Sequence, residues 1–178
     1  MEEKVILFTD VHEFSIVMKE LRERTWEFLD ELYHRIGDEV VSRHGVLIKY
    51  LGDGVLCTFP PDAVVAAVEC GLAIRPAYAE MVRQFGITHQ TDLEVGIDVG
   101  PVDSGTLGHP SLRGYDVFGQ AVNRAATIGH YRGVAITDDV KSRLPDSVEC
   151  TRLPDQRLKW QDDQLVVWAV TGVGAGSG

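Results

Sequence analysis

The segment V-L-I-K-Y-L-G-D-G-V-L-C-T-F, residues 46–59, leaves this chain little freedom of fold. Two apolar β runs, Val46 to Leu51 and Val55 to Phe59, are joined only by Gly52-Asp53-Gly54. Glycine reaches positive φ at no steric cost, so a link this short turns the chain back on itself as a tight hairpin. An antiparallel pair this apolar must be covered, and the flanking sequence offers helices to cover it. From Glu13 to about His44, Trp26, Leu29, Tyr33, Ile36 and Val40 recur at spacings of three and four, which predicts one long helix with an apolar face. Gly45 is its expected C-cap. Pro60-Pro61-Asp62 opens a second long helix through Val64, Ala67, Val68, Leu72 and Ile74 to Phe85, with a kink expected at Pro76.

The remaining segments extend the same pattern. Lys4 to Thr9 reads as a buried first strand. Leu93 to Val99 and Val102 to Leu107 read as a strand pair around Gly100-Pro101, followed by an exposed excursion from His109 to Tyr115. A helix from Gly119 to Gly129, a strand from Val134 to Ile136, a helix capped by Thr137 or Asp138, and paired strands including Leu165 to Val170 complete the chain. The expectation is a single α+β domain over residues 1–172, with a mixed or antiparallel sheet covered by helices, and a flexible Gly-rich tail at 173–178.

Composition removes several functions. A net charge of −10 argues against nucleic acid, whose phosphates are bound by clustered Lys and Arg. No apolar run approaches the ~20 residues of a membrane span, and M-E-E-K-V-I-L-F lacks the pattern of a signal peptide. The three cysteines, Cys57, Cys70 and Cys150, form no metal-binding spacing and read as reduced thiols, so a cytoplasmic location is expected. The six histidines show no zinc motif.

Against that background Asp10 and Asp53 stand out. Each lies at the end of an apolar strand run, Asp53 between glycines. Two carboxylates at a sheet edge suit a pair of divalent cations, which share oxygen ligands in phosphoryl transfer. Each also has a plainer use taken alone, Asp10 capping the following helix and Asp53 serving as a turn residue.

Four segments, in order, turn the balance: F-T-D-V-H-E-F-S, K-Y-L-G-D-G-V, G-I-D-V-G-P-V-D-S-G-T-L-G and G-Y-D-V-F-G-Q-A-V-N-R-A-A. Together they resemble the catalytic domain of the class III adenylate and guanylate cyclases, over about Lys4 to Val170. The resemblance implies a ferredoxin-like, palm-type core that dimerises head to tail with active sites at the subunit interface. It implies attack of the ribose 3′-hydroxyl on the α-phosphate, with two Mg²⁺ or Mn²⁺ ions held by Asp10, Asp53 and the Val11 backbone. The loop Val11, His12, Glu13, Phe14 and Ser15 matches the phosphate-binding loop, where helix N-terminal amides serve a triphosphate. Lys49 and Asp116 match the base-reading pair; a Lys donor and an Asp acceptor fit adenine N1 and N6, which favours ATP over GTP. A strand-edge role for Lys49 and a solvated one for Asp116 are the plainer alternatives. Asn123 matches the ribose-orienting residue. Lys49 and Asp53 are ~13 Å apart along an extended chain, a separation compatible with their serving different nucleotides in a homodimer.

Two departures bear on speed. The family's transition-state arginine falls one helical turn after Asn123, where this chain has Thr127. Arg124 lies about 100° around the helix from Asn123, and Arg132 follows in a loop. A phosphate-binding lysine near the last strands is replaced by Asp162 or Asp163, with Lys159 slightly too early. The expectation is therefore a slow, homodimeric adenylate cyclase. The alternatives are a catalytically silent nucleotide-binding module and half of a heterodimer.

Overall fold

Strand β1 (Glu2–Val11) lies inside the sheet, because five of its residues from Val5 to Thr9 pair with β3 (Gly54–Phe59) while its other edge pairs with β4 (Leu93–His109). The computed structural model describes residues 1–158 and 164–174. The other elements are α1 (Phe14–Leu21), α2 (Thr25–Ser42), β2 (Val46–Leu51), α3 (Val64–Phe85), β5 (Leu112–Phe118), α4 (Gln120–Ile128), β6 (Val134–Thr137), α5 (Asp138–Lys141), β7 (Val148–Arg152), β8 (Gln156–Arg157), β9 (Gln164–Leu165) and β10 (Val167–Val173). The main sheet runs β2-β3-β1-β4-β6-β10-β7, with β5 on the outer half of β4 and β8-β9 as a separate ribbon. Only β4 and β6 are parallel, so the sheet is mixed. The expected α+β class holds.

Strand alternation divides the core in two. Val5, Leu7, Val55, Cys57, Val95 and Ile97 pack beneath α1, α2 and α3 with Phe28, Leu32, Ile36, Ile74 and Met81. Ile6, Leu56, Val102 and Val117 face the other way, against Ala121 and Ala125 of α4. Burying each large apolar side chain is worth ~1.5–3 kcal/mol, so the three-helix layer dominates stability while α4 covers its face thinly. Small residues on α4 let it lie directly on the sheet backbone. At Gly96 a Cβ would fall 2.0 Å from the Ala125 carbonyl oxygen and 2.7 Å from the Gly129 nitrogen. Gly96→Ala is expected to lower stability by about 1–3 kcal/mol or more, a fall of several degrees in Tm by calorimetry; an unchanged Tm would show that α4 is free to lift.

Several expectations need correction. The single helix from Glu13 to His44 is two, separated by a 3₁₀ turn at Arg22–Arg24 where Arg22 takes φ 52°. The buried stripe of α2 is Phe28, Leu32, Ile36, Gly37 and Val40, so the face is rotated from the one expected, and Trp26 is 81% exposed. The left-handed residue after α2 is His44, at φ 61°. Gly45 is needed because any side chain there would strike the Phe59 ring, 2.6 Å from the Cβ position. The second long helix does run to Phe85 with Pro76 inside it, as expected.

Gly100-Pro101 makes no turn. Gly100 pairs with Lys4 and Pro101 with Glu3, and β4 continues unbroken for 17 residues. The true turn follows His109, which pairs with Leu112, so the expected excursion is the tip of the β4–β5 arm. Within the tail expected at 173–178, Val173 pairs with Val148 and the Gly174 N–H reaches the Ser147 carbonyl, so these two residues belong to the sheet edge. Residues 175–178 of that tail lie outside the described residues.

Candidate active site

The β2–β3 hairpin brings Asp53 to the end of β1. Gly52 supplies the positive φ of the turn, at 67°. Gly54 permits the approach, since a Cβ there would sit 2.9 Å from the Thr9 carbonyl oxygen. Asp53 Oδ2 then accepts the Val11 N–H at 3.1 Å. Asp10 follows Ile6 and Phe8 in strand alternation, so its carboxylate emerges on the α4 side of the sheet. Burial, the Asp53 charge and hydrogen bond, and then the Glu94 charge push the Asp10 carboxyl up to about 7. Among the described residues no Lys or Arg forms an ion pair with Asp10 or Asp53. Two carboxylates held together without a cationic partner fit a divalent ion.

Sequence reasoning missed a third acid. Glu94 stands directly opposite Asp10 in the β1–β4 register and is only 4% exposed. Its Oε1 lies 2.7 Å from His12 Nδ1. His130, just past α4, brings a ring nitrogen within 4.8 Å of the Asp10 and Glu94 oxygens. Nothing local marks these residues, because β pairing and helix docking create the cluster.

Lys49 and Asp116 meet as an ion pair with Lys49 Nζ 2.7 Å from Asp116 Oδ2. A β-bulge between Leu47 and Lys49 sets Lys49 opposite Leu56, whose side chain belongs to the α4 face. Lys49 therefore shares a face with Asp10, and it also lies 5.5 Å from the centre of the Phe118 ring. The Val117 N–H, donating to Asp116 Oδ1 at 2.8 Å, holds the acid in place.

The loop after Asp10 is partly committed within the chain. Besides the Val11 N–H on Asp53, the His12 N–H donates to the Asp92 carbonyl at 2.9 Å. Glu13, at φ 53°, caps α1 through its backbone, and its carboxylate lies 2.8 Å from His89 Nε2. No intrachain hydrogen bond is recorded for the N–H groups of Glu13, Phe14 and Ser15 among the described residues. The amides at the start of α1 are thus the ones open to an anion.

Helix α4 buries Ala121 and Ala125, leaving Asn123 exposed and Thr127 half-buried on its outer side. Thr127 Oγ1 donates to the Asn123 carbonyl at 2.8 Å. Arg124 is unavailable as a substitute for the absent arginine. Its Nε lies 2.5 Å from Asp98, a fully buried acid that also accepts from Thr137 Oγ1 at 2.6 Å. Arg132 donates to the Gln90 carbonyl at 3.1 Å. Lys159, Asp162 and Asp163 lie outside the described residues.

The adenylate and guanylate cyclase catalytic-domain model matches residues 1–172. An adenylate cyclase of Mycobacterium tuberculosis is 34% identical over 128 residues, covering 67% of this chain but 28% of that protein. The chain thus spans under a third of that relative's length. The adenylyl cyclase CyaB from P. aeruginosa superposes with a TM-score of 0.90 at 22% identity, over 99% of this chain and 97% of that one. The guanylyl cyclase Cya2 gives 0.88 at 26% identity, over 99% and 95%. No described helix is long and apolar enough to cross a membrane. With the order of its strands, the pairing of its acids and these likenesses in agreement, the chain belongs to the adenylate and guanylate cyclase catalytic-domain family.

Proposed function

We propose that the domain is an adenylate cyclase, converting ATP to cyclic AMP and pyrophosphate as a homodimer with active sites between subunits. The observation that carries the choice of ATP is the Lys49–Asp116 pair at 2.7 Å, on the same sheet face as Asp10. In the bound complex Lys49 donates to adenine N1 and Asp116 accepts from the N6 amino group. Guanine meets the pair with a donor where an acceptor is needed, leaving both side chains mispaired.

The other roles divide along the chain. Asp10, Asp53 and the Val11 backbone hold the divalent cations, Mg²⁺ or Mn²⁺, against the triphosphate. Those ions, when bound, acidify the 3′-hydroxyl and stabilise the leaving pyrophosphate. The free amides at the start of α1 receive phosphate oxygens. Asn123 orients the ribose. Its place on the outer side of α4 supports a composite site, in which Asn123, Lys49 and Asp116 of one protomer complete the metal end of the other. A cytoplasmic location is part of the same reading, in keeping with free thiols at Cys57, Cys70 and Cys150.

The direct test is product formation from ATP and from GTP, each in Mg²⁺ and in Mn²⁺. Cyclic AMP from ATP supports the proposal, and cyclic GMP as the main product overturns the base assignment. Lys49→Met is expected to lower kcat/KM for ATP by ~10–100-fold while changing GTP little. An equal loss with both nucleotides would give Lys49 a structural role instead.

One observation favours a second reading. With Thr127 in the arginine position and Arg124 fixed on Asp98, no described cation on α4 is free to meet the transition state. A nucleotide-binding module without turnover follows if no partner supplies that charge.

A further inference from the structure

We propose that Asp10, Glu94 and His130 form a mixed carboxylate–imidazole site for a divalent transition-metal ion, with His12 orienting Glu94. The inference rests on Asp10 being a metal ligand, as assigned above, and adds two side chains to its surroundings. The three ligand atoms lie within 4.8 Å of one another, so one ion can touch them all after small side-chain movements.

The fold builds this cluster by two separate contacts. Antiparallel pairing sets Glu94 directly opposite Asp10, with both side chains on the α4 face. The end of α4 rests on the β4 backbone at Gly96, where Gly129 nitrogen lies 2.7 Å from the Cβ position. The next residue after Gly129 is His130, which that contact delivers over Glu94 two residues along the same face. Neither contact depends on a metal.

Glu94 is the telling residue. It is 4% exposed, and a buried carboxylate is costly unless paired. His12 Nδ1 takes Oε1 at 2.7 Å, while no hydrogen bond is recorded to the other oxygen among the described residues. An acid buried beside a second acid, with an exposed imidazole nitrogen within 4.8 Å of both, is a donor set suited to a cation. The His12 contact matches the supporting hydrogen bond that fixes a metal-binding carboxylate.

The donor set also says which ion. Mg²⁺ demands oxygen ligands in a near-ideal octahedron and keeps its water. An imidazole nitrogen beside carboxylates suits Zn²⁺, Co²⁺ or Mn²⁺. Selectivity between these and Mg²⁺ thus resides in His130.

The test is Co²⁺ titration of the full chain without nucleotide, read by visible absorption, with Mg²⁺ as competitor. Wild type, His130→Ala, Glu94→Gln and His12→Ala are compared, and circular dichroism checks their fold. His130 is exposed, so its removal should not disturb packing. The expected result is at least ~10-fold weaker Co²⁺ binding and a changed absorption band for His130→Ala and Glu94→Gln. His12→Ala should weaken binding while keeping the band. Co²⁺ binding as tight in a folded His130→Ala as in wild type would overturn the proposal, as would ready displacement by equimolar Mg²⁺. Because no nucleotide is present, a failed cyclase assay leaves this result standing, and the reverse holds too.

Discussion

Asp10→Ala is expected to abolish cyclic AMP formation, by ~10³-fold or more in kcat, measured as product from ATP in saturating Mn²⁺. The magnitude follows from the charge removed. Catalytic cations supply several kcal/mol of transition-state stabilisation, and each 1.36 kcal/mol is tenfold in rate. Asp10 and Asp53 are the acids proposed to hold them, and among the described residues no Lys or Arg pairs with either. A variant retaining a tenth of wild-type activity would remove Asp10 from the chemistry.

Folding separates cause from collapse. Burial and the Asp53 charge raise the Asp10 carboxyl to about 7, so the metal-free native state holds its proton more tightly than the unfolded chain does. A raised carboxylate favours the native state at low pH. That contribution disappears as pH rises from about 4 towards 7, then stays level. At pH 8 the metal-free protein therefore carries unrelieved repulsion, which Asp10→Asn removes. The asparagine variant should melt higher than wild type without metal, yet gain nothing from added Mn²⁺. Metal should raise the wild-type Tm, and more at pH 8 than at pH 6, because protons and cations compete for one carboxylate.

Thr127→Arg is expected to raise turnover by ~10²–10³-fold, the usual worth of one preorganised donor, with an arginine finger reaching ~10⁵. Thr127 spends its hydroxyl on the Asn123 carbonyl and offers nothing to a developing charge. A cavity of about 220 Å³ opens beside it, lined by His130, Tyr131, Leu153 and Val167, which gives a longer side chain room to extend. The gain should appear in kcat, since the interaction forms in the transition state. A variant that binds ATP with metal but still makes no cyclic nucleotide would establish the silent module.

How much of this was readable in the chain depended on whether the cause was local. Asp53 and its hairpin were, because Gly52-Asp53-Gly54 allows almost no other path. The pairing of Lys49 with Asp116 was reached through motif order, although the bulge that aims Lys49 has no signature. Gly100-Pro101 misled because the pair favours turns in isolation, whereas β1 supplies Lys4 and Glu3 as their ladder partners and keeps β4 extended. Arg22 gave no warning of a helix break, since its positive φ belongs to a residue type that seldom adopts it. Trp26 matched the helical period but lies one face away from the buried stripe set by Phe28 and Leu32. Glu94 and His130 were invisible for the opposite reason: they join the site only where a helix end rests on Gly96.

The register of β1 against β4 also sets a timetable. The contacts that build the site join residues 42 positions apart at Val11 and Asp53, and 82 apart at His12 and Glu94. Non-local closures of that kind are slow, because chain entropy is spent before any contact repays it. No fragment ending before β4 can hold Asp10 against Glu94, and none ending before His130 can complete the three-residue cluster proposed above. Capture of an ion by that proposed cluster would therefore come late, and an ion that binds only the paired strands would draw the folding equilibrium towards them.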